Sequence, residues 1–296
     1  MMIKKLLILI VCLLPVITFG QELDSIMDSE SSDDTNLVFA TFKGTRILNG
    51  HSVETRKRGV LEFLITHRFG PINSGFEDFF GLDEANIRLA LEYAITDDLT
   101  LGLGRSSYEK TYDSFLKYRA LYQKSGARNF PFSLTLFGSA AVKTLNNNQQ
   151  DYSFGDKLTY VGQVLLARKF TPSISFQISP TYIHFNRVPS SIDPNDMFAL
   201  GFGTRVNVSK RVAINGEYFY NFNSFNSYET KNSFALGVSI GTGGHIFQLL
   251  VTNSRPMIEK GFIAETTGDF FDGDMRFGFN ISRAFHLNKK SKVPDY

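Results

Sequence analysis

The sequence predicts an all-β fold, a single transmembrane antiparallel up-and-down β-barrel of about 12 strands, with a plug or edge segment before the first of them. Three observations predict it. A secretory leader opens the chain. Alternating apolar and small or polar residues fill almost everything after it. Short and long polar links alternate between the alternating segments.

The leader comes first. Lys4 and Lys5 precede the apolar run from Leu6 to Ile17, and Thr18, Phe19 and Gly20 follow. A basic start, about a dozen apolar residues and small residues before a cut ahead of Gln21 make residues 1–20 a signal peptide. The run falls short of the roughly 20 apolar residues that a transmembrane helix needs. The only cysteine, Cys12, lies inside the leader. Val11 before it is not small, which argues against a lipidated cut. The mature chain then has no disulfide, thiolate metal site or cysteine nucleophile. Across the chain 31 Lys and Arg face 29 Asp and Glu. Removing Lys4 and Lys5 leaves the mature chain neutral, without the basic excess that nucleic-acid binding needs.

Residues 21–36 are acidic and Ser-rich, with Glu22, Asp24, Asp28, Glu30, Asp33 and Asp34. So few apolar residues predict a disordered periplasmic tail. Residues 37–58 form the next unit. Within it Val38 to Val53 alternates weakly and carries Lys43, Arg46 and His51, which are costly against lipid. It is read as a plug inside the barrel or as an edge segment.

The barrel is expected over residues 59–286. Its strands are expected near Val60–Phe69, Ala85–Ile95, Leu99–Ser107, Thr111–Tyr122, Pro131–Lys143 and Lys157–Phe170. They continue near Ser173–Asn186, Met197–Val208, Arg211–Phe222, Asn232–Gly241, His245–Asn253 and Met275–Phe285. Strand side chains switch faces at every residue. Here one face is Leu, Phe, Ile and Tyr, which suits lipid. The other is Gly, Ser, Ala, Asn and Thr, which suits a crowded lumen. No helical periodicity is expected beyond Gly20. Short links fall at Thr96–Asp98, Thr171–Pro172, Ser209–Lys210 and Thr242–Gly244, with the somewhat longer Gln123–Phe130 among them. Long ones fall at Gly70–Glu84, Thr144–Asp156, Arg187–Asp196, Asn223–Lys231 and Ser254–Asp274, with the brief Tyr108–Lys110 the one exception. Tight periplasmic turns and long outer loops produce that rhythm, and an even strand count returns both termini to the periplasm. Tyr108, Tyr112, Tyr122, Phe170, Phe185, Tyr218, Tyr220, Phe222, Phe271 and Phe285 crowd the strand ends as aromatic girdles.

Several stretches also carry a family likeness. They are Thr41-Phe42-Lys43-Gly44-Thr45-Arg46, His67-Arg68-Phe69-Gly70, Phe79-Phe80-Gly81-Leu82-Asp83 and Ile95-Thr96-Asp97-Asp98-Leu99-Thr100. Gly104-Arg105-Ser106-Ser107, Lys110-Thr111-Tyr112-Asp113 and Phe115-Leu116-Lys117-Tyr118 extend it. Together they resemble an uncharacterised family of Gram-negative outer-membrane β-barrel proteins, classed as a domain of unknown function. The resemblance implies a fold and a place in the cell outer membrane. It implies no substrate and assigns no site residue. Barrels of this kind end on an aromatic residue read by the barrel-assembly machinery. Phe285 takes that place, followed by a C-terminal tail over residues 287–296.

The search for chemistry returns little. His51, His67, His184, His245 and His286 show no metal-ligand spacing, and no Gly-x-Ser-x-Gly elbow occurs. No cofactor is expected. A hydrolase would need His67 brought to Ser106 or Ser107. Gly102-Leu103-Gly104 and Gly241-Thr242-Gly243-Gly244 open no helix and lack the following lysine of a phosphate loop. Asp269, Asp272 and Asp274 miss the spacing of a calcium loop. Two groups remain as candidate sites. Glu62, Arg68, Arg88, Glu92, Lys117, Arg119, Arg205, Glu217 and Arg276 are expected to face the lumen, where they either seal it with ion pairs or line a polar path. Phe76, Phe79, Phe80 and Leu82, in a mouth loop, either fold across the opening or rest on neighbouring loops. The first functional reading is a non-enzymatic outer-membrane barrel, a narrow pore or small-molecule transporter with outer-membrane lipids around it. A sealed partner-binding barrel and a lipid-handling barrel or hydrolase are the other readings.

Overall fold

A computed structural model describes residues 35–126, 128–145 and 153–287. The leader, nearly all of the acidic tail and the C-terminal tail after Leu287 lie outside the described residues.

Twelve strands close into an antiparallel barrel. In chain order they are β2 (Val60–Pro71), β3 (Ala85–Ala94), β4 (Leu99–Ser106), β5 (Thr111–Leu121), β7 (Ser133–Lys143), β8 (Leu158–Lys169), β9 (Ile174–Phe185), β10 (Asp196–Asn207), β11 (Val212–Asn221), β12 (Ser233–Thr242), β13 (His245–Thr252) and β14 (Arg276–His286). Each pairs with the next along the chain, and β14 closes on β2 with Phe279 opposite His67 and Ile281 opposite Ile65. Closure removes every open edge, so the strand amides pair along the wall, with link side chains serving some at the strand ends. Two short strands stand apart from the wall. β1 (Thr35–Leu37) pairs with β6 (Lys124–Gly126), which lies in the link between β5 and β7. Thr35 and Asn36, expected in the disordered tail, therefore belong to a small ladder.

The expected alternation is visible as burial. On β3 every second residue is buried, from Asn86 through Arg88, Ala90 and Glu92 to Ala94. Ile87, Leu89, Leu91 and Tyr93 between them stay exposed on the outer wall. The short turns share one device. Thr96 Oγ1 accepts the amides of Asp98 and Leu99, Thr171 Oγ1 those of Ser173 and Ile174, and Ser209 Oγ those of Arg211 and Val212. A hydroxyl at the first turn position satisfies two amides that the ladder leaves free. The fourth turn uses Gly244 at φ 90°.

The structure departs from the expected inner face in one respect. Phe115, Phe137, Phe185 and Phe219 point inward and are buried, so Phe185 is not a girdle residue. The small inner residues make room for them: a Cβ on Gly102 would stand 2.1 Å from the Phe115 ring. A second departure is a helix, α1 (Glu259–Ala264), in the link from β13 to β14. Ile258 at its N-cap and Phe262 stand at i, i+4 spacing, and Met257 and Ile263 flank them.

The outer wall at mid-strand has no polar partner to offer a charge. Replacing Leu91, which is paired with Phe63 and Leu103, by arginine is expected to cost about 2–4 kcal/mol, read as a lowered denaturant midpoint in lipid vesicles.

Candidate functional site: the occupied lumen

Eight of the expected lumen charges, all except Arg276, are buried inside the barrel. Arg276 is half-buried at the long-loop end, where it donates to the Phe69 carbonyl (3.4 Å). Some charges pair across the wall. Arg88 on β3 grips Asp113 on β5 with two bonds of 3.0 and 2.5 Å. Most others meet the segment over residues 41–56, which the barrel encloses.

That segment enters from the short-turn end and folds back as a small hairpin. Arg46 and His51 form a bridge. Ile47 N–H donates to Gly50 O (2.9 Å) and Ser52 N–H to Thr45 O (3.0 Å). The lumen side chains bond chiefly to its main chain. Glu217 on β11 accepts the amides of Asn49 (2.6 Å) and Gly50 (3.0 Å). Lys117 on β5 donates to Glu54 O (2.6 Å), Gln248 on β13 to Ile47 O (2.7 Å) and Asn280 on β14 to Leu48 O (2.8 Å). Gln177 on β9 both donates to His51 O (2.8 Å) and accepts from Val53 N–H (2.9 Å). Side-chain pairs add to these. Arg68 donates to Asn49 Oδ1 (2.8 Å), Arg119 to Glu54 Oε2 (3.0 Å), and Arg56 forks onto Glu62 at 2.6 and 2.7 Å. Apolar contacts fill the gaps, and a Cβ on Gly203 would stand 2.4 Å from Ile47 Cδ1.

The exit of the segment is tied to the β3–β4 turn. Asp97 accepts Arg58 N–H (2.8 Å) and faces Lys57 Nζ (3.4 Å), while Thr55 Oγ1 donates to Asp97 O. The backbone bond from Arg58 is the main cause that holds the Asp97 carboxyl below its ordinary range, with Lys57 adding to it. This tie is complete above the ordinary carboxylate range and is lost as pH falls through the lowered value.

From the other end the β13–β14 link dips into the barrel. Every residue of α1 is buried. Phe262 and Ile263 pack in an apolar cluster with Val161, Ile183, Phe185, Met197 and Phe219. Lys260 pairs with Glu265 (2.9 Å) and lies 3.6 Å from Glu109. Glu259 reaches down to the hairpin: its Oε1 is 2.9 Å from Arg46 Nη1 and 3.6 Å from His51 Nε2. Glu92 lies 3.8 Å from Arg46 Nε. The inserted segment and the inserted loop thus meet through one ion pair.

Other expected groupings do not assemble. Phe76, Phe79, Phe80 and Leu82 do not cross the mouth. They sit on an exposed loop of two short 3-10 turns, with Phe76 80% exposed. That loop is held sideways, by Ile72 N–H on Met275 O and Asn73 on Asp274, both 2.7 Å. His67 stacks on Phe279 on the outer wall. Ser107 Oγ accepts the amide of Ile87, the residue opposite His67, so two strand spacings, about 10 Å, separate the two. Ser106 is buried on the inner face, on the other side of the wall from His67. Asp274 accepts the Asp269 amide within its loop (3.0 Å). No metal-ligating cluster occurs among the described residues. Glu259, Phe262 and Arg56 escaped sequence reasoning. The spacing of Met257-Ile258 and Phe262-Ile263 was the signal for α1.

Glu217 holds the hairpin turn with both carboxyl oxygens. Glu217→Gln is expected to raise amide exchange at Asn49 and Gly50 by about tenfold, since the new side-chain NH2 leaves one buried amide without its acceptor, a loss of about 1–3 kcal/mol. Exchange in β3 amides is expected to stay unchanged.

No curated protein matches the chain. Among solved structures, the KdgM porin shares 11% identity over 77% of this chain and 99% of its own, with TM-score 0.47. The NanC porin shares 8% over 76% and 98%, also at 0.47. Outer membrane phospholipase A from Escherichia coli shares 11% over 77% and 91%, at 0.42. A family model described as "Membrane bound beta barrel domain (DUF5777)" matches residues 42–285, hairpin and barrel together. With the closed wall and its apolar outer face, that match makes the chain a member of this family of membrane-bound β-barrels.

Proposed function

We propose that the chain is a non-enzymatic solute channel of the outer membrane, held closed by residues 41–54 acting as a plug. One observation carries this reading: the lumen side chains of β5, β9, β11, β13 and β14 bond to the hairpin's main chain. A permanent core is better built from apolar residues, because buried charges repay their desolvation poorly. A removable core favours groups that water serves as well as protein does. Lys117, Glu217, Gln177 and Gln248 are such groups. Each exchanges hydrogen bonds to the plug for bonds to water, at a net cost of about 0.5–1.5 kcal/mol for a neutral pair and about 1.5–3 kcal/mol for a charged one. With the hairpin gone they would line a polar path of the kind that conducts solutes. The leader read in the sequence supports an export route, and a closed wall of β-strands is one of two structures that span a bilayer.

Planar-bilayer recordings test the reading. The intact barrel is expected to be silent, and a barrel lacking residues 41–54 to show discrete openings that shrink in the presence of the free hairpin peptide. A folded, heat-modifiable barrel that stays silent after the deletion would make it a sealed scaffold.

A further inference from the structure

We propose that the long-loop half of the lumen is a binding site for small amphipathic acids, an apolar body bearing one carboxylate, and that α1 occupies it as the chain's own stand-in. The inference rests on the closed-channel reading and deepens it by naming the solute class.

The lumen is not uniform. Its short-turn half presents Lys117, Gln177, Glu217 and Gln248 to the hairpin. Toward the long loops the inward faces of β8 to β11 instead carry Val161, Ile183, Phe185, Met197 and Phe219. A barrel already has lipid for its apolar face, and its interior is ordinarily polar. An apolar wall with a few polar groups at one end is the composition of a ligand pocket. Phe262 and Ile263 fill that wall, both 0% exposed, and Glu259 sets a carboxylate on its floor.

The floor holds more donors than Glu259 uses. Arg46 gives one N–H to Glu259 and to Asn49 O, both through Nη1. Its Nε, 3.8 Å from Glu92 Oε1, its Nη2, and both ring nitrogens of His51, with Nε2 3.6 Å from Glu259, are buried and make no close hydrogen bond among the described residues. A guanidinium fork is shaped for two parallel bonds to one carboxylate. Glu259, tethered by the helix behind it, takes one. A free acid entering from the loop end takes both and leaves the charge of the floor unchanged. The helix it displaces has six residues and no side-chain cap, a length far below that of an independently stable helix. Contacts from outside keep it in place: apolar packing, the Glu259–Arg46 and Lys260–Glu109 ion pairs, and Asn221 Nδ2 on Ile263 O (2.7 Å).

The test uses the processed chain in lipid nanodiscs with 4-phenylbutyrate, 4-phenylbutan-1-ol as the uncharged match, and empty nanodiscs as control. Calorimetry on the wild type is expected to give saturable one-to-one binding of the acid, at least about tenfold tighter than the alcohol. Ile263→Cys, in a chain whose sole native cysteine is Cys12 of the leader, reports the helix. Its labelling by a maleimide is expected to accelerate about tenfold with the acid. Arg46→Gln is expected to bring acid and alcohol to equal affinity. Equal affinities in the wild type, no binding, or binding without faster labelling would each overturn the proposal, and the wild-type ratio decides even where Arg46→Gln fails to fold. Conductance after plug deletion separates the two readings. An opened deleted barrel together with a wild type that shows no preference for the acid keeps the channel and ends the acid site, while acid-selective binding to the wild type together with silence after deletion does the reverse.

Discussion

Hydrocarbon offers no hydrogen bonds, so each N–H and C=O of a membrane-crossing strand must meet another strand. That requirement forces β14 back onto β2 and makes the chain a cylinder. Everything else in the molecule answers the question the cylinder raises, which is what occupies its axis. A wall of twelve strands is wider than its own small side chains can fill. The chain fills it from both ends, with a hairpin from the N-terminal side and a helix from the last long link. Inward phenylalanines complete the packing, two of them where a neighbouring strand supplies glycine, Phe115 at Gly102 and Phe219 at Gly201.

The wall was legible in the residues because its physics is local. A side chain's face follows from parity, and Ile87 to Ala94 reads directly as lipid-facing and lumen-facing sets. The turns were legible for the same reason: Thr96, Thr171 and Ser209 stand where free amides need a hydroxyl. Strand bounds fell within a residue or two of those observed, from Val60 on β2 to His286 on β14. The occupants of the axis were harder. Position along a sequence does not say which loop turns inward. The aromatic loop around Phe76 carried the louder signal, yet it lies outside, tied to Asp274 and Met275. The quieter Met257 to Ala264 stretch enters. Its apolar residues follow a helical spacing that a search for alternation passes over. Arg46 and Glu259 lie more than two hundred residues apart, and only the closed fold brings them to 2.9 Å.

The two halves of the axis obey different rules. Around the hairpin, charges and amides are met by main-chain groups, for which water is an adequate substitute, beside apolar contacts of Phe42, Ile47 and Val53 with Phe115, Phe137 and Leu165. Around α1, phenylalanine and isoleucine are met by their like, and water is a poor substitute. Arg46 stands at the border, reaching Glu259 above and the Asn49 carbonyl below. A disturbance of either occupant reaches the other through this one side chain, with Glu92 and His51 beside it.

The wall grips the hairpin through its peptide groups. Peptide groups are the same whatever side chains they carry. Glu217, Gln177, Gln248 and Asn280 set the loop shape whatever side chains it carries, while Gly50 must stay small beside Glu217 and Phe219, and Phe42, Ile47, Leu48 and Val53 must fill the apolar gaps. Mutational tolerance should therefore be uneven along the enclosed loop: strict at Phe42, Arg46, Ile47, Leu48, Gly50 and Val53, and strict among the polar residues of the cylinder that hold its peptide groups.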